Sequence, residues 1–261
     1  MKKLIVLVFS IVLFGSCVEK KESGIIKTLN GKNDSKEPKN INKKINNTDE
    51  KTLLSQYTAI PDKNFEQALI DLGYDDLIDG YVLKSGVKNC KELDVSQKLI
   101  SDLTGIESFI NLKVLNCSSN QLTTLDVSNN TALTYLNCSY NLAFKGFDSY
   151  YITTLDVSNN TSLTYLRCDG NKLSALDVSN NTALEELICS ANQLTTLDVS
   201  NNTALTGLAC NINKLTTLDV SNNIFLKILV CSSNQLTTLD VSNNTVLNEL
   251  GCNINKLTTL D

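Results

Sequence analysis

The sequence predicts a repeat solenoid, mainly β, wound as a right-handed coil of 21-residue turns with short parallel strands and a small helical N-terminal cap. Three columns of residues predict it. Cysteines fall at Cys117, Cys138, Cys168, Cys189, Cys210, Cys231 and Cys252, at intervals of 21, 30, 21, 21, 21 and 21 residues. Asparagines keep the same beat from Asn120 to Asn255, and aspartates keep it from Asp126 to Asp261. A fixed period in the low twenties marks a solenoid, whose units stack because none buries its apolar face alone. The single long interval means that one copy carries nine extra residues.

Each coil begins with Leu112-x-x-Leu115-x-Cys117-x-x-Asn120-x-Leu122 or its equivalent. That spacing fits the pattern L-x-x-L-x-L-x-x-N-x-L, with cysteine in the third apolar slot. On these residues, over about 87 to 261, the chain resembles bacterial leucine-rich-repeat surface proteins of the internalin-like kind. The resemblance implies an architecture and a generic binding role, and it names no ligand.

Alternation along L-x-x-L-x-C turns Leu115 and Cys117 inward and Val114, Asn116 and Ser118 outward. Leu122-x-x-Leu125-x-Val127 repeats the apolar spacing, which suggests a second short extended segment on the opposite side. The asparagines suit the corners, where an amide satisfies turn backbone, stacks on the next coil and tolerates left-handed geometry. Coils should rise by roughly 4.8 Å, the strand spacing.

From the N-terminus, residues 1–16 read as a signal peptide. Lys2 and Lys3 precede an apolar run, Leu4 to Phe14, too short to span a membrane as a stable helix. The run ends Leu13-Phe14-Gly15-Ser16-Cys17, which resembles a bacterial lipobox and implies lipidation at Cys17. Residues 17–51, rich in Lys, Asn, Asp and Glu, are expected to be a disordered, lipid-anchored tether, because they cannot bury enough apolar surface to order themselves. Residues 52–86 read as the cap. Asp62 is placed to N-cap a helix running to about Leu72, with Gly73 as its stop and Phe65, Leu69 and Leu72 on one face. Asp75, Asp76 and Asp79-Gly80 lack calcium-loop spacing and read as a solvated turn.

Residues 87–261 form the solenoid. In the first coil Leu93 and Val95 precede Leu115 and Cys117 by 22 residues, so Cys90 falls on the leucine column. The sequence stops at Asp261 within a coil. That predicts an incomplete C-terminal coil, arising from truncation or covered by a partner, because terminal repeats need a polar outer face.

The formal charge of −5 argues against nucleic-acid binding. With no histidine there is no His-based triad and no His metal site. No nucleophile elbow or phosphate loop is present. The expectation is a non-enzymatic protein with no cofactor and no metal. The cysteine column reads as buried free thiols, since side chains pointing in parallel pair poorly as disulfides. Repulsion along the aspartate row must be offset, by hydrogen bonds from neighbouring hydroxyls and turn amides or by bridging divalent cations.

Outward strand positions differ between coils while the inner ones do not, which is how solenoids build recognition surfaces. The nine extra residues lie between Asn141 and Tyr151, and seven of the fifteen aromatics fall within the 31 residues from Tyr135 to Tyr165. Insertions map to loops on one face, often the binding face. The binding-face candidates are therefore Tyr135, Tyr140, Phe144, Phe147, Tyr150, Tyr151, Tyr165, Arg167, Asp169 and Glu186. Phe144 and Phe147 could equally close a gap in the solenoid wall. The reading is a lipid-anchored cell-envelope protein, at the outer membrane and surface-exposed, whose repeat face binds a protein or a glycan. Its rival is a structural protein that self-assembles through the uncapped C-terminal edge.

Overall fold

One apolar residue between two outward ones, repeated once per coil, builds a parallel sheet. The computed structural model describes residues 55–145 and 148–260, and leaves out the side chains of residues 143–150 and 260. The signal segment, Cys17, the tether and Phe147 lie outside the described residues.

In the cap, β1 (Tyr57–Ala59) pairs antiparallel with β2 (Tyr81–Leu83) around α1 (Lys63–Asp71), and α2 (Lys84–Val87) follows. Helix α1 begins as expected. Asp62 Oδ1 accepts the amides of Asn64 and Phe65 at 2.9 and 3.0 Å, and Gly73 takes the left-handed turn beyond its end. The strand pair was not legible in the sequence. The other oxygen of Asp62 accepts the amides of Ser101 and Asp102 and the Ser101 hydroxyl, which ties the cap to the first coil. Phe65 and Phe109 are both fully buried, with ring centroids 6.4 Å apart. The acidic turn is not merely solvated. Buried Glu66 accepts the amides of Asp79 and Gly80 at 2.8 and 2.6 Å.

The solenoid contributes one strand per coil to an eight-stranded parallel sheet. In order these are β3 (Glu92–Asp94), β4 (Val114–Asn116), β5 (Tyr135–Asn137), β8 (Tyr165–Arg167), β9 (Glu186–Ile188), β10 (Gly207–Ala209), β11 (Ile228–Val230) and β13 (Glu249–Gly251). Register is in phase throughout, so Leu93, Leu115, Leu136, Leu166, Leu187, Leu208, Leu229 and Leu250 form one row. The nine extra residues form an antiparallel hairpin, β6 (Leu142–Lys145) with β7 (Asp148–Tyr151).

The cysteines from Cys117 to Cys231 are completely buried and free. Desolvation pushes the thiols of Cys138, Cys189 and Cys231 up to about 12 and raises those of Cys117, Cys168 and Cys210 well above the ordinary thiol value.

Two expectations are corrected. Among the described residues, the second extended segment forms a ladder only where β12 (Thr238–Leu239) pairs with β14 (Thr259–Leu260). Elsewhere its apolar residues are buried without regular strand pairing, and isolated amides such as Gln193 N to Leu173 O, at 2.9 Å, link the coils. The left-handed corner residue is also not the asparagine but the one before it: Ser119, Tyr140, Gly170, Ala191, Ile212, Ser233 and Ile254, with φ between 50° and 68°. Such a backbone costs about 1–2 kcal/mol per L-residue.

What holds the corner there is the neighbouring amide, which bridges backbone groups rather than stacking on another amide. Asn192 Nδ2 donates to the carbonyls of Cys168 and Cys189, each at 3.1 Å, and its Oδ1 accepts the Leu173 amide at 3.0 Å. Each bond is worth about 0.5–1.5 kcal/mol net, enough together to offset the strain. A second column, including Asn181, Asn202 and Asn223, uses Nδ2 in the same way at the other corner. Its Oδ1 atoms are buried without a hydrogen-bond partner.

Candidate binding face

The outward residues of the strands stand in columns on one sheet face. Parallel register sets Tyr135 beside Tyr165 and Tyr165 beside Glu186. The two tyrosine rings stack with centroids 4.4 Å apart and planes within 6°. Residues 30 apart in sequence thus make a single aromatic plate. Both tyrosines are half-buried, and desolvation raises both phenols above their ordinary pKa.

Arg167 follows Tyr165 by two residues and faces the same way. Its Nε donates to Asp169 Oδ1 at 2.7 Å and its Nη2 to Oδ2 at 3.3 Å. This forked pair holds the Arg167 pKa above its usual value, against the effect of burial. Asp169, expected on the exposed face, is instead 4% exposed. The guanidinium neutralises it, and such pairs are the usual way a carboxylate is accommodated away from water.

Tyr140 occupies the left-handed corner of its coil with 52% of its surface exposed. Its ring lies over Gly170, where an added Cβ would come within 2.5 Å of the ring, and the Arg167 guanidinium is 6.0 Å from the ring centroid. Here glycine gives both the left-handed φ and the space. The Asp169 carboxylate raises the Tyr140 phenol.

The structure therefore brings together Tyr135, Tyr140, Tyr165, Arg167, Asp169 and Glu186. Tyr151 belongs to the hairpin and makes a different contact, its ring beneath Lys172 Nζ at 4.2 Å. Phe144 and Tyr150 are placed on the hairpin backbone. Next to the hairpin, Asn171 Oδ1 is buried with no partner. In the regular coils that oxygen takes the amide two residues after the preceding asparagine, as Asn192 takes Leu173, and the hairpin base interrupts that pattern.

One feature of the face escaped the sequence reading although its signal was present. From β9 onward the last strand residues are Ile188, Ala209, Val230 and Gly251, and the first include Gly207 and Ile228. The face thus turns from polar and aromatic to apolar and small-residued.

The aspartate row lies away from this face. Asp198, Asp219 and Asp240 line a shallow groove with Thr196, Thr217 and Thr238. The amide of the serine two residues on donates to each aspartate at 2.8 to 2.9 Å, and bonds from those serines lower the carboxyl pKa values. Hydrogen bonds of the expected kind thus favour the charged row. Among the described residues, no group of three His, Cys, Asp or Glu is placed to hold a metal.

Comparison with solved structures agrees with this geometry. The functional domain of InlJ from Listeria monocytogenes, described as including a cysteine ladder, shares 39% identity over 79% of this chain, with a TM-score of 0.61. The architecture is that of an internalin-like leucine-rich repeat. A leucine-rich-repeat protein of Leptospira interrogans matches at 26% identity and a TM-score of 0.57, covering 68% of this chain. Internalin C2 of L. monocytogenes, at 20% identity and a TM-score of 0.65, shares the fold, covering 78% of this chain and 91% of its own. The chain spans about half of the InlJ and Leptospira structures, 49% and 47% of their lengths. No family model and no curated protein matches the sequence.

Proposed function

We propose that this internalin-like repeat protein is a non-enzymatic lipoprotein of the cell envelope, held at the surface through Cys17, whose strand face binds a protein or a glycan. The observation that carries the binding reading is the stacked Tyr135–Tyr165 pair beside Arg167 on a rigid sheet face. Tyrosine and arginine dominate binding hot spots because they bury large, stiff surface while keeping a polar end. A fixed interior beneath a varied face is the arrangement by which solenoids recognise partners.

The test is loss of binding without loss of fold. Cross-linking on intact cells should capture a partner with the wild-type chain and not with Tyr135→Ala/Tyr165→Ala, whereas Lys113→Ala at the rim should capture it normally. Equal loss from both variants would sink the reading. Anchoring is tested separately: Cys17→Ser should move the protein from the membrane to the soluble fraction, since it removes the acylated thiol. Unchanged fractionation would rule out that anchor.

A further inference from the structure

Downstream of the tyrosines the same face has a second character, set by two small residues and by charge. On β10, Gly207 lies in register between Glu186 and Ile228, and Ala209 lies between Ile188 and Val230. Two neighbouring positions with almost no side chain leave a notch between the side chains of β9 and β11, two strand spacings or about 10 Å apart. A Cβ built on Gly207 would sit 3.5 Å from Glu186 Cγ, so the glutamate stem forms one lip of the notch. Ile228 and Val230, both half-buried, form the other. A notch with aliphatic walls accepts one large apolar side chain.

Charge narrows the partner. The three outward columns carry five carboxylates, Glu92, Asp94, Asp169, Glu186 and Glu249, against one guanidinium, Arg167. That guanidinium is already taken by Asp169, and among the described residues the only other ion pair is Lys98 with Asp71. Around the notch itself the outward positions of β9, β10, β11 and β13 carry Glu186 and Glu249 and no cation, while Lys227, Lys214 and Lys256 stand only at the flanks, with Glu185. Glu186 and Glu249 stand at equivalent positions on β9 and β13, three strand spacings or about 14 Å apart. An extended chain crossing the strands covers about 13 Å in four residues.

We infer that this stretch of the face binds a basic extended segment of a partner protein, seating one large apolar side chain over Gly207 and Ala209 while flanking cations meet Glu186, one strand spacing to one side, and Glu249, two strand spacings to the other. The inference rests on the binding role proposed above and specifies the partner's chemistry. Complementary charge sets the approach and the register, and the buried anchor supplies most of the affinity.

The experiment titrates full-length protein against fluorescein-labelled Lys-Ser-Phe-Ser-Lys, its Glu-flanked counterpart and its Gly-centred counterpart, by fluorescence anisotropy. The Lys-flanked, Phe-centred peptide should bind at least tenfold more tightly than either control and weaken as salt is raised. Gly207→Leu, which fills the notch, should cost at least tenfold. Glu186→Lys should move the preference toward the Glu-flanked peptide. Circular dichroism melts check that both variants fold; Glu186→Lys lies on the outer side of its strand and provides the test should Gly207→Leu misfold. Equal affinity for the three peptides, or wild-type binding by Glu186→Lys, overturns the inference, as does capture of a neutral glycan in place of the peptide. Should the peptides fail to discriminate while Tyr135→Ala/Tyr165→Ala still abolishes partner capture, the binding role stands and only the partner chemistry assigned here falls.

Discussion

The inside of the coils and the strand face come from alternate residues of the same three-residue strands, yet they obey different rules. Inside, the coils of β4, β5, β8, β9, β10 and β11 repeat one answer: a buried leucine at the strand centre and, two residues on, a buried cysteine. A leucine in one coil stands beside leucines in the coils on either side, and a corner asparagine bonds the backbone of two coils, so a change in either spoils more than one contact. Outside, Tyr165, Glu186, Gly207 and Ile228 occupy one column without disturbing the ladder beneath. The backbone bonds that hold the coils together are indifferent to outward side chains, which leaves the face free to specialise.

The sharpest test of this contrast is alkaline. Six fully buried thiols, from Cys117 to Cys231, have pKa values raised by burial, whereas unfolded cysteines ionise near 8.5. An acid whose folded pKa is raised contributes stability that is complete below its unfolded pKa and declines as pH rises toward the folded one. Each thiol costs about 1.4 kcal/mol per pH unit in that window, so six together cost about 8 kcal/mol per unit. Thermal melts should collapse between about pH 9 and 10, and replacing successive cysteines by alanine should flatten the slope. A pH-independent Tm over that range would refute the picture of a neutral thiol column.

Next in size is Leu187→Ala. It removes a fully buried side chain from the middle of the leucine row and should destabilise by about 2–5 kcal/mol in denaturant titrations. Cys189→Ser should cost about 1–3 kcal/mol, because a hydroxyl replaces a thiol where desolvation is complete. In the native state, thiol reagents should leave the column from Cys117 to Cys231 unmodified. Rapid native labelling there would show that the coils open locally. The smallest effect belongs to the face. Tyr135→Ala/Tyr165→Ala loses one stacked pair, worth about 0.5–1.5 kcal/mol beyond the area it buries, and should cost less stability than Leu187→Ala. A loss matching that of Leu187→Ala would mean that the tyrosines are part of the packing and would erase the distinction between inside and face.

Much of this was legible without coordinates. The phase of the cysteines located the sheet strands β4, β5, β8, β9, β10, β11 and β13, and Asp62 and Gly73 marked the ends of α1. The corner was misassigned for a physical reason. Asparagine is the commonest non-glycine residue in left-handed geometry, but here its amide is engaged with three backbone groups, and the residue before it takes the strain. Ile212 and Ile254, poor left-handed residues by any propensity, fill that position with their side chains exposed. The strand pair in the cap was missed because Tyr57–Ala59 and Tyr81–Leu83 are too short to show alternation and lie 24 residues apart.

The sequence by itself determined the period, the inward columns and the site of the insertion, because burial repeats with the coil and burial is what residue type records. Only the tertiary structure decided what the outward residues do. That Tyr135 stacks on Tyr165 and that Tyr140 lies over Gly170 depend on which side chain of a neighbouring coil arrives alongside, whereas Arg167 folds back onto Asp169 of its own coil rather than reaching outward. Backbone register sets those neighbours some 20 to 30 residues apart, and side-chain competition for space and hydrogen bonds then selects the conformation.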